Sequence, residues 1–193
     1  FGFIVIPFKM EDFTSLLSDA NGNRPPIDLM RLRNITEEGL EGYPPKYRAI
    51  AWMLLLGVYP TKSSEWEGKR NQLAETYQTY ISEYGLIDWE KLHATENEFP
   101  QTDKTLLSIH KDVIRSSKHI ILLPKERIVS DGEEWFIERE VHIRRLERIL
   151  FVFAKVNAGI GYVQGFHVLI QPLYLALCSA RELFKDGMEI ECL

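Results

Sequence analysis

Arg115 and Asp112 stand out because their types and spacing suit the binding of a phosphate group. They lie three residues apart on a predicted helix, so a guanidinium and a carboxylate share one face, while Ile109 anchors that face inward. A guanidinium is planar and permanently charged, and it can bond two phosphate oxygens at once. Taken alone, the same pattern is more typical of a surface ion pair on an amphipathic helix.

Gln164 is the second candidate, and it lies in a stretch rich in glycine. Residues 157–161 are expected to form a flexible loop that leads to Gln164, and Gly165 would let another molecule come close to the backbone. A neutral amide can accept a hydrogen bond from a water molecule and donate one toward a phosphate without adding charge. The alternative interpretation is an N-cap or loop glutamine at the start of a helix.

Other kinds of site find little support in the sequence. Glu138 and His142 are four apart, which is not the Glu-x-x-His spacing of di-iron bundles, and no second copy occurs, so no metal site is expected. No phosphate-binding G-x-x-x-x-G-K-S/T motif occurs, so the chain itself is not expected to bind GTP. The arginines of the same predicted helix are interpreted as a solvated face. They are Arg139, Arg144, Arg145 and Arg148.

The composition of the 193 residues, 45% hydrophobic and 26% charged, is that of a globular domain. A net charge of -5 argues against a general nucleic-acid binder, and two cysteines do not suggest a disulfide-stapled secreted domain. Cys178 is expected to be buried and inert. The longest apolar stretch, residues 168–180, is too short to span a membrane. We therefore expect a cytosolic protein, and we interpret residues 1–8 as the cut edge of a longer chain.

Helical patterns follow one another along the chain and must position the candidate residues. Asp28 is expected to cap a short helix, Pro45 to open the next, and Gly57 to end it. The predicted helices cover residues 11–18, 28–38, 45–56, 66–84, 104–115, 133–156 and 164–179, the last bent at Pro172. The strongest apolar stripe, within residues 133–156, consists of Ile143, Leu146, Ile149, Leu150 and Phe153. No alternating stretch is long enough to build a sheet, so the sequence predicts an all-α domain.

Three short motifs occur in order, and together they resemble the TBC domain, the family of Rab GTPase activators. The family patterns are R-x-x-x-W, I-x-x-D-x-x-R and Y-x-Q-G. They are matched by Arg48 and Trp52, by Ile109, Asp112 and Arg115, and by Tyr162, Gln164 and Gly165. Any one pattern recurs by chance, but all three in this order form a specific signal. After the last glycine the family usually continues with Met and Asn, whereas this chain has Phe166 and His167.

The resemblance implies both a fold and its extent. It covers residues 31–193, preceded by an N-terminal segment of residues 1–30, and it implies a multi-helix, two-lobed TBC-like domain. Family domains extend well past the position that Leu193 occupies here, so the C-terminal lobe is expected to be incomplete in this chain.

The resemblance also implies a function, acceleration of GTP hydrolysis by a GTP-bound Rab-type small GTPase, which ends Rab signalling in vesicle traffic. Arg115 would be the arginine finger, and Gln164 would replace the GTPase's own water-positioning glutamine. No cofactor is expected, because the partner holds GTP and Mg²⁺. The alternative is a non-catalytic TBC-like scaffold that binds a Rab. The implied location is cytoplasmic, with at most peripheral recruitment to endomembranes.

Five further residues of these motifs are expected to support the site or to contact the partner: Asp112, Tyr162, Gly165, Arg48 and Trp52. We expect Trp52 to lie in the core, and Arg48 to bury its stem and pair with an acidic group such as Asp112. For Tyr162 the sequence leaves open whether the side chain is a core residue or touches the partner.

Overall fold

The computed structural model describes residues 10–17, 24–87, 89, 103–116, 126–130, 133–137, 139–180 and 183. Within these ranges the chain forms seven α-helices, one short 3-10 helix and one antiparallel hairpin. The helices are α1 (Met10–Leu17), α2 (Leu29–Glu37), α3 (Pro45–Leu55), α4 (Trp66–Glu83), α5 (Lys104–Ser116), α6 (Arg139–Val156) and α7 (Phe166–Cys178), with the 3-10 helix at Ser63–Glu65. The hairpin strands are β1 (Glu126–Ser130) and β2 (Glu133–Ile137). The predicted all-α class is confirmed.

The hairpin corrects the predicted start of the longest helix and the expectation that no sheet would form. Glu133 was expected to begin that helix, but residues 133–137 form β2, which pairs with β1 in a register that sets Ser130 opposite Glu133 and Ile128 opposite Trp135. Helix α6 begins only at Arg139. The aromatic and β-branched run at residues 135–137 favours a strand, and an Asp-Gly pair ahead of such a run is a sequence signal for a hairpin.

Local sequence signals account for several helix ends. The Asp28 carboxylate accepts hydrogen bonds from the amides of Met30 and Arg31 at 2.9 and 3.2 Å, which caps α2 as predicted. Pro45 is the first residue of α3, and Gly57, just beyond its end, adopts a φ of 73° that favours glycine. Helix α7 continues through Pro172 to Cys178.

The core is formed by side chains from every described helix. Ile109 and Val113 of α5 are fully buried, as are Leu32 of α2 and Ile81 of α4. Full burial of such a side chain contributes about 1.5–3 kcal/mol to folding. The inward orientation expected for Ile109 is confirmed, and so is the burial of Cys178. None of the helices in the described ranges is long and apolar enough to cross a lipid bilayer.

A buried polar cluster joins α6 to α5, and it corrects a second prediction. Glu147 has no exposed surface, and its carboxylate lies 2.7 Å from Nδ1 of His110 and accepts hydrogen bonds from Arg144 at 2.8 Å and Trp89 at 3.2 Å. Arg148, 1% exposed, donates to the Leu86 carbonyl. The arginines predicted to face solvent are therefore buried at positions 144, 145 and 148, and two of them have acceptors in the interior, Glu147 for Arg144 and the Leu86 carbonyl for Arg148. The side chain of Arg139 lies outside the described residues.

Candidate functional site at the end of helix α5

Arg115 lies in the last turn of α5 and projects away from the core. The buried Ile109 and Val113 fix the inner face of that helix, whereas the Arg115 side chain is 67% exposed. Its Nε donates to the Lys111 carbonyl at 3.2 Å, and a terminal nitrogen donates to Asp112 Oδ1. The carboxylate therefore binds the guanidinium, a contact that the three-residue spacing permits, while most of the Arg115 side chain stays open to solvent.

Asp112 is buried and links α5 to the loop before α7. Its second oxygen, Oδ2, accepts a hydrogen bond of 2.9 Å from the Tyr162 hydroxyl. That hydroxyl also lies 3.1 Å from Nδ1 of His167, which is 3.8 Å from Asp112 Oδ2. We call Asp112, Arg115, Tyr162 and His167 the Asp112 cluster. In it, Arg115 and Tyr162 bond to one carboxylate, and His167 of α7 contacts Tyr162.

The Tyr162 side chain both packs against the core and donates a hydrogen bond within this cluster. Its ring packs against the core and meets the Phe166 ring edge-on, with centroids 6.3 Å apart. Burial, followed by the hydrogen bond to Asp112 and the charge of that carboxylate, raises the pKa of the Tyr162 phenol above its usual range, although the Arg115 charge opposes the shift. The hydroxyl therefore keeps its proton and remains a donor to Asp112.

Gln164 lies in the loop between α6 and α7, two residues beyond Tyr162. Its side chain is exposed and forms no hydrogen bond to another described residue. Gly165 follows at the N-terminal end of α7 with a φ of 107°, and a β-carbon there would meet no atom within 4 Å. The glycine is thus required by its backbone conformation, and the space in front of it is open.

The fold brings together the chain segments that carry Arg115 and Gln164, although the two residues are 49 positions apart in the sequence. Arg115 and Tyr162 bond to the two oxygens of one carboxylate, and Cα atoms two residues apart along a chain are at most about 7 Å apart. A second contact, from Gln171 Nε2 to the Ser116 hydroxyl at 2.8 Å, also holds α7 against the end of α5. The exposed Gln164 amide therefore lies on the loop that Tyr162 and Asp112 tie to the helix end carrying the exposed Arg115 guanidinium.

The structure corrects the expectations for Arg48 and Trp52. Trp52 is 39% exposed and Arg48 is exposed, while the described contacts of Asp112 are those with the other members of the Asp112 cluster. Positions 48 and 52 lie on one helical stripe of α3, and the neighbouring stripes that carry Ile50, Met53 and Leu54 face the core. The spacing of the motif residues was compatible with either face, so their direction could not be predicted from it.

His167 and Gln171 are members of the site that sequence reasoning missed. Both belong to α7, one and two turns after Gln164; His167 contacts Tyr162 five positions earlier and lies near Asp112, and Gln171 contacts Ser116, 55 positions earlier. His167 was noted only as a departure from the family pattern. Spacing carries no signal for a contact between α7 and α5.

An apolar groove of about 340 Å³ lies between α4, α6 and α7, and neither Arg115 nor Gln164 lines it. Its wall is mainly aliphatic and aromatic and includes Leu73, Tyr77, Ile149, Val152, Ile170 and Leu173. Within the described residues no group of three or more His, Cys, Asp or Glu side chains is placed to hold a metal ion. The candidate residues are therefore not part of this groove.

The comparison with known proteins agrees with the motif resemblance. The Rab-GTPase-TBC domain model matches residues 45–185. The chain is 29% identical to TBC1 domain family member 22B of Homo sapiens over 181 residues, which are 94% of this chain and 29% of that protein. It is 30% identical to GTPase-activating protein gyp1 of Schizosaccharomyces pombe over 165 residues, 85% of this chain and 27% of that protein.

A third relative, GTPase-activating protein GYP7 of Yarrowia lipolytica, is 28% identical over 149 residues, 70% of this chain and 20% of that protein. The chain therefore spans less than a third of the length of each of these relatives. Because the family model covers well over half of the chain, the resemblance seen in the three motifs is confirmed. The chain belongs to the Rab-GTPase-TBC domain family.

Proposed function

We propose that this chain is the catalytic part of a GTPase-activating protein for a GTP-bound Rab-type small GTPase. The proposal rests on the family match together with one geometric observation. An exposed arginine is anchored on a buried carboxylate, and the same carboxylate binds Tyr162, two residues before an exposed glutamine that has no hydrogen bond to another described residue. Relatives named GTPase-activating proteins support the same function.

Arg115 acts on the phosphoryl group that is being transferred. A small GTPase hydrolyses GTP slowly, and a cation supplied in trans stabilises the charge that develops on the phosphate oxygens. The planar Arg115 guanidinium can bond two of these oxygens at once. Removal of such an arginine finger lowers the rate of GTP hydrolysis by a factor of about 10³–10⁵. The bonds to Asp112 and to the Lys111 carbonyl restrict the side chain before the partner arrives, so less conformational freedom is lost on binding.

Gln164 acts on the attacking water. Its amide oxygen accepts a hydrogen bond from the water, and its amide nitrogen donates one toward the phosphate. The chain thus supplies both the cation that stabilises the phosphoryl group and the amide that positions the water. The open space in front of Gly165 lets the partner's nucleotide site approach this loop closely.

Apolar side chains beside the two polar residues support a protein partner. Ile114 precedes Arg115, Val163 precedes Gln164, and both are exposed, as is Ile160 in the same loop. Trp52 is exposed as well, and exposed aromatic side chains are common at protein interfaces. The location of the protein would follow that of its Rab, with recruitment from the cytoplasm to the surface of a transport membrane.

The test is single-turnover GTP hydrolysis by a panel of Rabs, with and without this protein. We expect at least one Rab to be stimulated by the wild type, and the stimulation to be lost with Arg115→Ala and with Gln164→Ala. Arg33→Ala is the matched control, because Arg33 is an exposed arginine on α2, outside the Asp112 cluster. Stimulation that survives Arg115→Ala at the wild-type rate would contradict the proposal.

The non-catalytic scaffold predicts a different result in the same assay. It would bind a GTP-loaded Rab without changing its hydrolysis rate, and Arg115→Ala would then have no kinetic effect. Binding without stimulation by a folded wild-type protein would establish the scaffold function.

A further inference from the structure

The Asp112 cluster contains a residue whose role is not explained by the two proposed catalytic side chains, namely His167. Its side chain is 11% exposed, and its Nδ1 lies 3.1 Å from the Tyr162 hydroxyl. The distance from Nδ1 to Asp112 Oδ2 is 3.8 Å, which is too long for a hydrogen bond. His167 therefore reaches the carboxylate through Tyr162.

The protons in this chain of contacts can be assigned by counting donors. A phenol has one proton, and Tyr162 donates it to Asp112 Oδ2, so its oxygen is available only as an acceptor for a third group. The nitrogen of His167 that faces this oxygen must then carry a proton. The order of donation is His167 Nδ1–H to the Tyr162 oxygen, and the Tyr162 O–H to Asp112 Oδ2.

We infer that His167 is a positioning residue for Arg115. Its Nδ1–H fixes the direction of the Tyr162 hydroxyl, that hydroxyl occupies Asp112 Oδ2, and the carboxylate is thereby turned so that Oδ1 meets the guanidinium. Hydrogen bonds that follow one another in a poorly solvated region strengthen each other, so loss of the first donor weakens the others. The catalytic consequence of this inference rests on the proposed function of Arg115.

The inference can be tested in the free protein by measuring how firmly the Arg115 side chain is held. In protein labelled with ¹⁵N-arginine, the Nε–H signal of Arg115 is identified by its loss in Arg115→Ala. We expect that signal to exchange with water several-fold faster in His167→Ala. His167→Asn should keep the wild-type signal, because its amide places an N–H donor close to the position of Nδ1.

Hydrolysis gives the second readout. At saturating protein, His167→Ala should lower the stimulated rate of a responsive Rab about fivefold to tenfold, the effect of one lost hydrogen bond, while the half-saturating concentration stays unchanged. Tyr162→Phe should cause a similar or larger loss. The double variant Tyr162→Phe/His167→Ala should be no slower than Tyr162→Phe alone, because His167 acts through the hydroxyl.

A wild-type Arg115 signal in His167→Ala, or additive losses in the double variant, would overturn the inference. Melting temperatures of all variants are measured alongside, since a merely structural role would lower stability without the selective change at Arg115. If the wild type stimulates no Rab but the Arg115 signal still responds to His167→Ala, the proposed function fails while the positioning contact is supported.

Discussion

At the scale of single residues, Arg115 combines an anchored stem with an exposed head. Its Nε and one terminal nitrogen are bound on α5, and the rest of the group faces solvent. An ion pair with one partner this exposed contributes little to the free energy of unfolding. Its function and its contribution to stability can therefore be measured separately.

Arg115→Lys distinguishes the shape of the guanidinium from its charge. We expect stimulated hydrolysis to fall about 10³-fold or more, because an ammonium cannot bond two phosphate oxygens in the fixed geometry of the fork. The melting temperature should change little. A lysine variant that keeps most of the stimulated rate would show that charge alone is sufficient.

Gly165→Ala tests the backbone conformation next to Gln164. Its φ of 107° is unfavourable for any residue with a β-carbon, so we expect the free energy of unfolding to fall by about 1–3 kcal/mol in urea denaturation. Gly159→Ala is the matched control, because Gly159 lies in the same loop without a positive φ and has equal space around it. Equal stability of the two variants would be incompatible with the conformation described here.

At the scale of secondary-structure elements, α5 is held at both ends and along its length. Asp103 caps its N-terminus by accepting from the amides of Thr105 and Leu106 at 2.8 and 3.2 Å, and it also accepts from Lys155 of α6 at 2.7 Å. The Glu147 carboxylate joins α6 to the middle of α5 through His110. These contacts fix the direction in which the last turn of α5 presents Arg115.

The Asp103 contact should depend on pH. Burial, the largest single effect, would raise the pKa of Asp103, but the hydrogen bonds from Lys155 and the two amides, together with the Lys155 charge, hold it below its usual value. A lowered pKa in the folded state stabilises the protein above the unfolded pKa of about 3.9, and this contribution is lost as pH falls through the folded value. Asp103→Asn keeps a capping oxygen but cannot ionise.

We therefore expect Asp103→Asn to melt below the wild type at pH 6, and the difference to shrink as the pH falls below about 4. Thermal melts across this range provide the measurement. A difference that is constant with pH would rule out the ionised carboxylate as its source.

Glu147→Ala should be far more damaging than loss of an exposed glutamate. It removes the acceptor shared by Arg144 and Trp89 and the partner of His110, inside the protein, and we expect a loss of about 3–5 kcal/mol in the free energy of unfolding. Glu75→Ala on the exposed face of α4 is the control, with an expected change within about 0.5 kcal/mol. Chemical denaturation compares the two. Similar small effects would mean that the buried carboxylate is dispensable for folding.

At the scale of the whole molecule, the fold joins two distant motifs at one carboxylate. The sequence predicted the positions of the helices and motifs better than the burial and contacts of the side chains around them. Capping, proline and glycine signals located the helices because they act within one turn of the chain. The exposure of Trp52, the burial of Arg148 and the contact of His167 depend on which helix packs against which face. Local periodicity does not carry that information, and the hairpin was missed because its strands are short.

The most direct test of the central claim uses a responsive Rab whose own water-positioning glutamine is replaced by alanine. In single-turnover hydrolysis, we expect the wild-type protein still to stimulate this Rab, because Gln164 supplies the amide that the Rab lacks. The Gln164→Ala protein should stimulate it far less, while Gln72→Ala, a change of an exposed glutamine on α4, should behave as the wild type. If the wild-type protein stimulates the unmodified Rab but not the altered one, Gln164 does not position the water, and the two-residue mechanism is contradicted.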